Sequence, residues 1–411
     1  MIGYLRDMRP VWPILLGASV MLSLAMGIRQ SLGILAPTLT KDIAISMADF
    51  TLAIAVLNLA WGLLQAVAGG LVVRWGYRPI LMVGAVLYVI GLIFIATAQG
   101  LIGLIIGAGL CVGASMACTG MAMAMAISSR AAPPAIRSTV LGIVSAVGSL
   151  GAMFAAPLGQ LLLQDYGWRA GAAGFVVLSL VMLPSAWFAS RIDSVPLPKP
   201  KDSDIGNVPV SEVLSKAFQH APFIVLTCAY FICGMQLVFL LTHLPSYLAL
   251  CGLDPMLSAQ ALGLIGAFNI AGSLFFGWAG GRWNKLVVLG MLYIARSIVI
   301  GWYFVTPATP QSTLLFAGLM GFLWLGVSPL IAGSIGEMFG LRWQPMIQGV
   351  AFVSHQLGSC LGAFGGGLVY TMLGSYTLAW QVGVSLGITG GLIQIAFALI
   401  FPPRPPVAVP A

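Results

Sequence analysis

Apolar runs of eighteen residues or more follow one another along nearly the whole of this 411-residue chain. A run of that length crosses the hydrocarbon core of a bilayer, about 30 Å thick, as a single helix. No water reaches backbone N–H and C=O groups there, so each run must satisfy its own hydrogen bonds as a helix. Twelve such helices are expected, at 12–37, 50–73, 80–98, 101–127, 139–163, 170–190, 221–246, 258–280, 286–305, 312–336, 346–370 and 378–402. Turn chemistry separates them, as in Gly76-Tyr77-Arg78-Pro79 and Thr306-Pro307-Ala308-Thr309-Pro310. The uncharged stretch 80–127 is divided only at Gln99-Gly100. The predicted class is an all-α polytopic membrane protein. Charged residues make up 7% of the chain, against about 25% in soluble domains. That is too few to solvate a soluble enzyme, a disordered chain or a nucleic-acid binder.

Basic residues orient the helices. With the N-terminus cytoplasmic, fourteen of the 18 Lys and Arg fall on the inner side, among them Arg6, Arg9, Arg130, Arg137, Lys199, Lys201, Arg342 and Arg404. The outer loops hold Lys41 and Arg169, and Arg29 and Arg296 lie within helices. An odd helix count would scramble this asymmetry. The first run is too long for a signal-peptide core and lacks a cleavage site, so it is read as a retained span. The six Cys form no CxxC pair and have no His at ligand spacing, so neither a disulfide framework nor a metal site is expected.

Residues 191–220 are polar and Pro-rich, with Pro196, Pro198, Pro200, Asp202 and Asp204. They read as a cytoplasmic linker, carrying a short amphipathic helix near 211–218, between six-helix bundles at 1–190 and 221–411. The bundles repeat. A shift of 207 places Gly142, Leu150, Gly151, Gly159 and Gly167 on Gly349, Leu357, Gly358, Gly366 and Gly374. A shift of 208 places Gly69, Arg74 and Trp75 on Gly277, Arg282 and Trp283. Parallel repeats of this kind meet at an interface that opens to alternate sides.

The segment Gly69-Gly70-Leu71-Val72-Val73-Arg74-Trp75-Gly76-Tyr77-Arg78-Pro79 resembles the loop 2–3 motif of the major facilitator superfamily. Gly69, Arg74, Gly76 and Arg78 match, whereas Val73 replaces the motif's Asp. The second copy keeps Arg282 but has Gly281 for Asp and Asn284 for Gly. Within the superfamily, Gly27-Ile28-Arg29-Gln30-Ser31-Leu32-Gly33 and Ser354-His355-Gln356-Leu357-Gly358 resemble the monocarboxylate-porter and oxalate/formate-exchanger branch. The resemblance implies a major facilitator fold working as a monomer in the plasma membrane, the inner membrane of a bacterium, with both termini cytoplasmic.

A charged side chain inside a span is costly unless it faces protein or water, so it is a functional candidate. Arg29 lies about 25 Å into the first helix. It either holds a substrate carboxylate through its bidentate fork or ties helix ends together by bonding free carbonyls. Arg296, near the middle of the ninth helix, has no evident acid partner and carries the same two readings. His355 can change charge near neutral pH, and Gln30, Gln356, Asn58, Trp61 and Asn269 complete the expected substrate site. Tyr230, Trp324 and Tyr370 are candidate shape-giving aromatics. His243 reads as an interfacial residue, and Met116, Met121, Met123 and Met125 as either an adaptable substrate surface or core. Gly148, Gly151, Gly159, Gly358, Gly362 and Gly365–Gly367 are expected to allow close helix approach, either in smooth contacts across the halves that suit rocking or in plain tight packing.

No Asp or Glu lies inside a span apart from Glu337 at the end of the tenth. No phosphate-binding loop, nucleophile triad or carboxylate pair appears, so no cofactor is expected. A binding region with two cations and no acid predicts an anionic passenger moved by a secondary transporter, and the branch resemblance implies a small monocarboxylate. A co-transported proton would ride on that carboxylate or on His355. The alternative is an exporter of a hydrophobic or amphipathic compound.

Overall fold

The computed structural model describes residues 9–197 and 209–401. Arg6, Arg404 and the linker residues Pro198, Lys199, Pro200, Lys201, Asp202 and Asp204 lie outside the described residues. Six membrane helices precede the linker: α1 (Trp12–Leu39), α2 (Asp49–Trp75), α3 (Tyr77–Ala96), α4 (Leu101–Ala131), α5 (Arg137–Tyr166) and α6 (Trp168–Ser194). Six follow it: α7 (Ala221–Leu250), α8 (Pro255–Arg282), α9 (Lys285–Val305), α10 (310–339), α11 (341–373) and α12 (Thr377–Ile400). The helix Val210–Gln219 stands before α7, buries Val213 and Ala217, and pairs Lys216 with Glu212 at 2.8 Å.

By length and apolarity alone, α10 and α11 form one stretch of 64 residues. A straight helix of that length would measure about 96 Å, three times the hydrocarbon thickness. Gly340 divides it, with φ 77° and ψ 163°, a conformation open to glycine and strained for other residues. Twelve crossings result. The uncharged stretch 80–127 likewise divides between Ala96 and Leu101.

Buried apolar side chains gather in two clusters, one mainly from α1–α6 and one from the linker helix and α7–α12. Within each, glycine permits the tightest contact. Gly151 of α5 abuts the Ser23 backbone of α1, and its repeat Gly358 of α11 abuts the Phe231 backbone of α7. Gly148 meets Leu22, Gly159 meets Phe175, Gly362 meets Met235 and Gly366 meets Phe239. These glycines therefore serve plain tight packing within each half and not contact across the halves. The methionines are also core: Met116, Met123 and Met125 are fully buried. His243 is no interfacial residue, being 7% exposed and bonded through Nε2 to the Ala363 carbonyl at 2.9 Å.

A different set of glycines joins the halves, where α2 packs on α11 and α5 on α8. A Cβ on Gly69 would lie 2.5 Å from backbone atoms of Pro345 and Met346, and one on Gly349 would lie 2.6 Å from Ala66. Gly142 faces the Ser273 carbonyl, where a Cβ would stand 2.7 Å away, and Gly277 faces Gly142 in return. Gln344 of α11 adds a hydrogen bond to Ser129 of α4, 3.0 Å. All of these contacts lie between mid-depth and the linker side. On the far side, Gly263 and Gly266 of α8 face open space.

The loop 2–3 motif is assembled without its acid. Val73 packs against the apolar core of the second half. Gly76 turns with φ 83°, and Asp193 at the end of α6 accepts from Tyr77 N and Arg78 N, both at 3.0 Å, so it caps α3. Arg78 stacks on Trp187 at 3.8 Å and Arg74 on Trp75 at 5.8 Å. In the second half Asn284 replaces the glycine and caps α9 itself, accepting from Leu286 N at 3.0 Å. Arg282 is exposed.

Leucine at Gly349 or Gly277 would overpack the junction by about 1–3 kcal/mol. A cysteine probe at Ser129 should then react faster with a water-soluble maleimide from the linker side, with folding retained. Across the molecule, Asp42 accepts from Trp168 Nε1 at 2.9 Å and pairs with Arg169. The Trp168 bond first, then Arg169, holds its carboxyl below the usual value. A depressed folded value stabilises above the unfolded value of about 3.9 and stops doing so as pH falls through it. The melting-temperature gap between wild type and Asp42→Asn should therefore close in acid.

Candidate functional site

Just beyond the inter-half junction, helices from both halves converge on one chain of polar contacts. Arg29 leaves α1 and donates from Nη2 to Asn58 Oδ1 on α2. Its guanidinium also lies over the Trp61 ring, 4.9 Å from the centroid, an attraction between cation and ring quadrupole. Trp61 is fixed in turn, donating from Nε1 to Gln65 at 3.1 Å, and Gln65 donates to the Ala117 carbonyl at 2.8 Å. Asn58 has a second role. Its backbone carbonyl accepts from Gln356 Nε2 of α11 at 3.0 Å, across the boundary between halves. Gly62 makes room for this, since a Cβ there would stand 2.8 Å from Gln356 Cγ.

From Gln356 the chain passes into the second half. Its Oε1 lies 3.3 Å from His355 Nδ1. The His355 ring stacks on Phe352 at 5.4 Å and leans on Tyr230 of α7 at 4.5 Å. Phe352 returns to the first half, 4.7 Å from Trp61. Arg29, Asn58, Trp61, His355, Gln356 and Tyr230 thus form one cluster between the halves. No Asp or Glu pairs with Arg29 among the described residues, and its buried Nε has no partner. The local charge is positive, with no acidic counter-charge among the described residues.

The other expected residues lie elsewhere. Asn269 sits on the pseudo-symmetric junction. It donates to Ser149 of α5 at 3.2 Å and accepts from Leu325 N at 2.9 Å, satisfying an N–H freed where α10 breaks at 323–326. Gln30 is exposed, turned from Arg29 by one helical step. Arg296 is 0% exposed within the second half, donating to Gln236 Oε1 at 3.1 Å and Cys233 Sγ at 3.3 Å. It is not part of the Arg29 cluster. Trp324 is core and Tyr370 stacks on Tyr376.

A model of the Major Facilitator Superfamily matches residues 15–363. The chain belongs to this superfamily. It is a multi-pass membrane transporter, not an enzyme. It is similar to monocarboxylate transporter 11 of Mus musculus, 26% identical over 408 residues, covering 95% of this chain and 88% of that one. It is also similar to monocarboxylate transporter 13 of Bos taurus, 25% identical, covering 82% of this chain and 77% of the relative. Its fold matches the E. coli fucose:proton symporter FucP with a TM-score of 0.73 at 15% identity, covering 94% and 98% of the two chains. A proton:xylose symporter, XylE, matches at 0.68 and 14% identity, covering 95% of each.

Sequence reasoning missed Phe352 and the Ser129–Gln344 bond. A lone Phe or Ser in an apolar helix carries no signal until its opposite helix is known. Removing Asn58's side chain leaves the Arg29 guanidinium without its acceptor. Asn58→Ala should lower stability by about 1.5–3 kcal/mol, the range for a hydrogen bond to a charged group. Gln356→Ala should lower it by about 1 kcal/mol; both are read as melting temperatures in detergent.

Proposed function

We propose that this superfamily transporter moves a small organic anion, a monocarboxylate above all, by alternating access. The single observation that carries the reading is Arg29, a membrane-embedded cation whose side-chain partners are a neutral amide and an indole face, both of which also contact the second half. A carboxylate would take the remaining guanidinium donors in a charge-assisted pair, with Trp61 and Phe352 as apolar walls. The names of the relatives, monocarboxylate transporters, agree with this chemistry.

In this proposal the halves rock about the junction of α2 with α11 and α5 with α8. Substrate enters from the side opposite the linker, and separation of the junction opens the linker side. Because Gln356 bonds to the carbonyl of the residue that holds Arg29, loss of the inter-half bond frees Asn58 and changes the grip on the anion. No ATP site is required, so gradients drive the flux. His355 is the titratable group beside Gln356 and would carry a coupled proton, unless the carboxylate enters protonated. The excess of Lys and Arg on the linker side supports a cytoplasmic linker and cytoplasmic termini, and a monomer in the plasma membrane, the inner membrane of a bacterium, belongs to the same proposal.

The test is a thermal-shift panel of mono- and dicarboxylates, aromatic acids and neutral or cationic amphiphiles on wild type, Arg29→Gln and Arg296→Gln. A ligand that binds only the folded state raises the melting temperature, by the equivalent of about 2.7 kcal/mol at a hundredfold excess over Kd. The expected result is a monocarboxylate shift in wild type that Arg29→Gln abolishes. Shifts by amphiphiles alone, equal in all three proteins, would replace the anion reading with amphiphile export.

A further inference from the structure

Helices α11 and α12 are joined by only a few residues, yet they pack little on one another. α12 instead packs on α9 and α7. A cavity of about 210 Å³ remains between them. Gln236 and Phe239 of α7 form its floor, and Gly362, Gly366 and Gly383 its walls. Its rim is aliphatic and open: Leu361, Leu378 and Val382 are 51%, 46% and 44% exposed.

The first half shows what would close such a groove. The shift of 207 that pairs Gly159 with Gly366 also pairs Phe175 with Val382. Phe175 is fully buried and its ring covers Gly159, while Leu162 occupies the space over Gly174. α5 and α6 are thereby packed together. Over Gly366 the covering ring is Phe239 of α7, and Val382 of α12 stays short and 44% exposed at the rim. The groove is thus a local opening in the second half and not a property of the repeat.

Two observations identify an occupant. The rim lies on helices that cross the bilayer, so acyl chains are the medium that reaches it. Trp380, a lining residue 5% exposed, has an indole N–H with no acceptor. It lies three residues from the first residue of α12, about 4.5 Å along the axis, the level where tryptophans meet the polar boundary of the membrane. A buried donor at that level, above an apolar groove, matches an ester carbonyl followed by its hydrocarbon chain. We propose that the α11–α12 groove binds one acyl chain of a membrane phospholipid, with its ester carbonyl accepting from Trp380 Nε1. The site shares no residue with the Arg29 cluster and stands apart from the anion reading.

Two variants fill the groove. Gly383→Leu adds a side chain where a Cβ meets nothing within 4 Å, and Val382→Phe copies the first half. Detergent-purified protein is incubated with dioleoyl phosphatidylcholine, washed and examined by native mass spectrometry. Wild type should retain one lipid per chain, and both variants should lose it. The ether-linked analogue, lacking the carbonyl, should bind wild type about fivefold more weakly, the effect of one hydrogen bond, and Trp380→Phe should abolish that difference. Equal retention by wild type and a folded filled variant overturns the groove site. Equal retention of ester and ether lipid by wild type overturns the Trp380 contact, a comparison that needs no variant to fold.

Discussion

The close approach of the two halves depends on positions that have no side chain. At Gly69, Gly349, Gly142 and Gly277 a Cβ would enter the opposing helix. Packing and interhelical hydrogen bonds hold membrane helices together, because lipid tails are as apolar as leucine and supply no hydrophobic drive. Backbone-to-backbone contact is therefore the strongest non-polar interaction available at this boundary. It also sets where polar groups meet. Gln356 reaches the Asn58 carbonyl, and Asn269 reaches Ser149, only because α2 and α11, and α5 and α8, are so close.

The two membrane arginines illustrate how context divides one chemistry. Each has neutral partners and no carboxylate among the described residues. Arg29 is held by the first half, but its acceptor Asn58 is also the residue whose carbonyl bonds Gln356 across the halves. Arg296 is enclosed by one half, bonded to Gln236 and Cys233 of α7.

Departures from the superfamily motif have local physical substitutes. The acid expected at position 73 is a valine that packs on the opposite half. The cap that α3 needs comes from Asp193. Where the second copy lacks glycine, Asn284 caps its own helix. The task in each case is to satisfy the first N–H groups of a helix at the membrane edge, and several side chains can do it.

The sequence by itself determined the twelve helices, their division around a central linker, and the residues able to carry charge inside the membrane. Apolar length and the cost of burying charge are properties of a segment, readable without its neighbours. It also singled out Arg29, Asn58, Trp61, His355 and Gln356, which the fold brings together. Only the tertiary structure decided that Arg296, Gln30 and Asn269 stand apart, that Gly151 and Gly358 serve their own halves, and that Val382 leaves a groove where Phe175 closes one. Those outcomes depend on which helix face meets which partner. A pattern repeated along one strand of sequence does not encode that choice, because glycine and serine look alike wherever they pack.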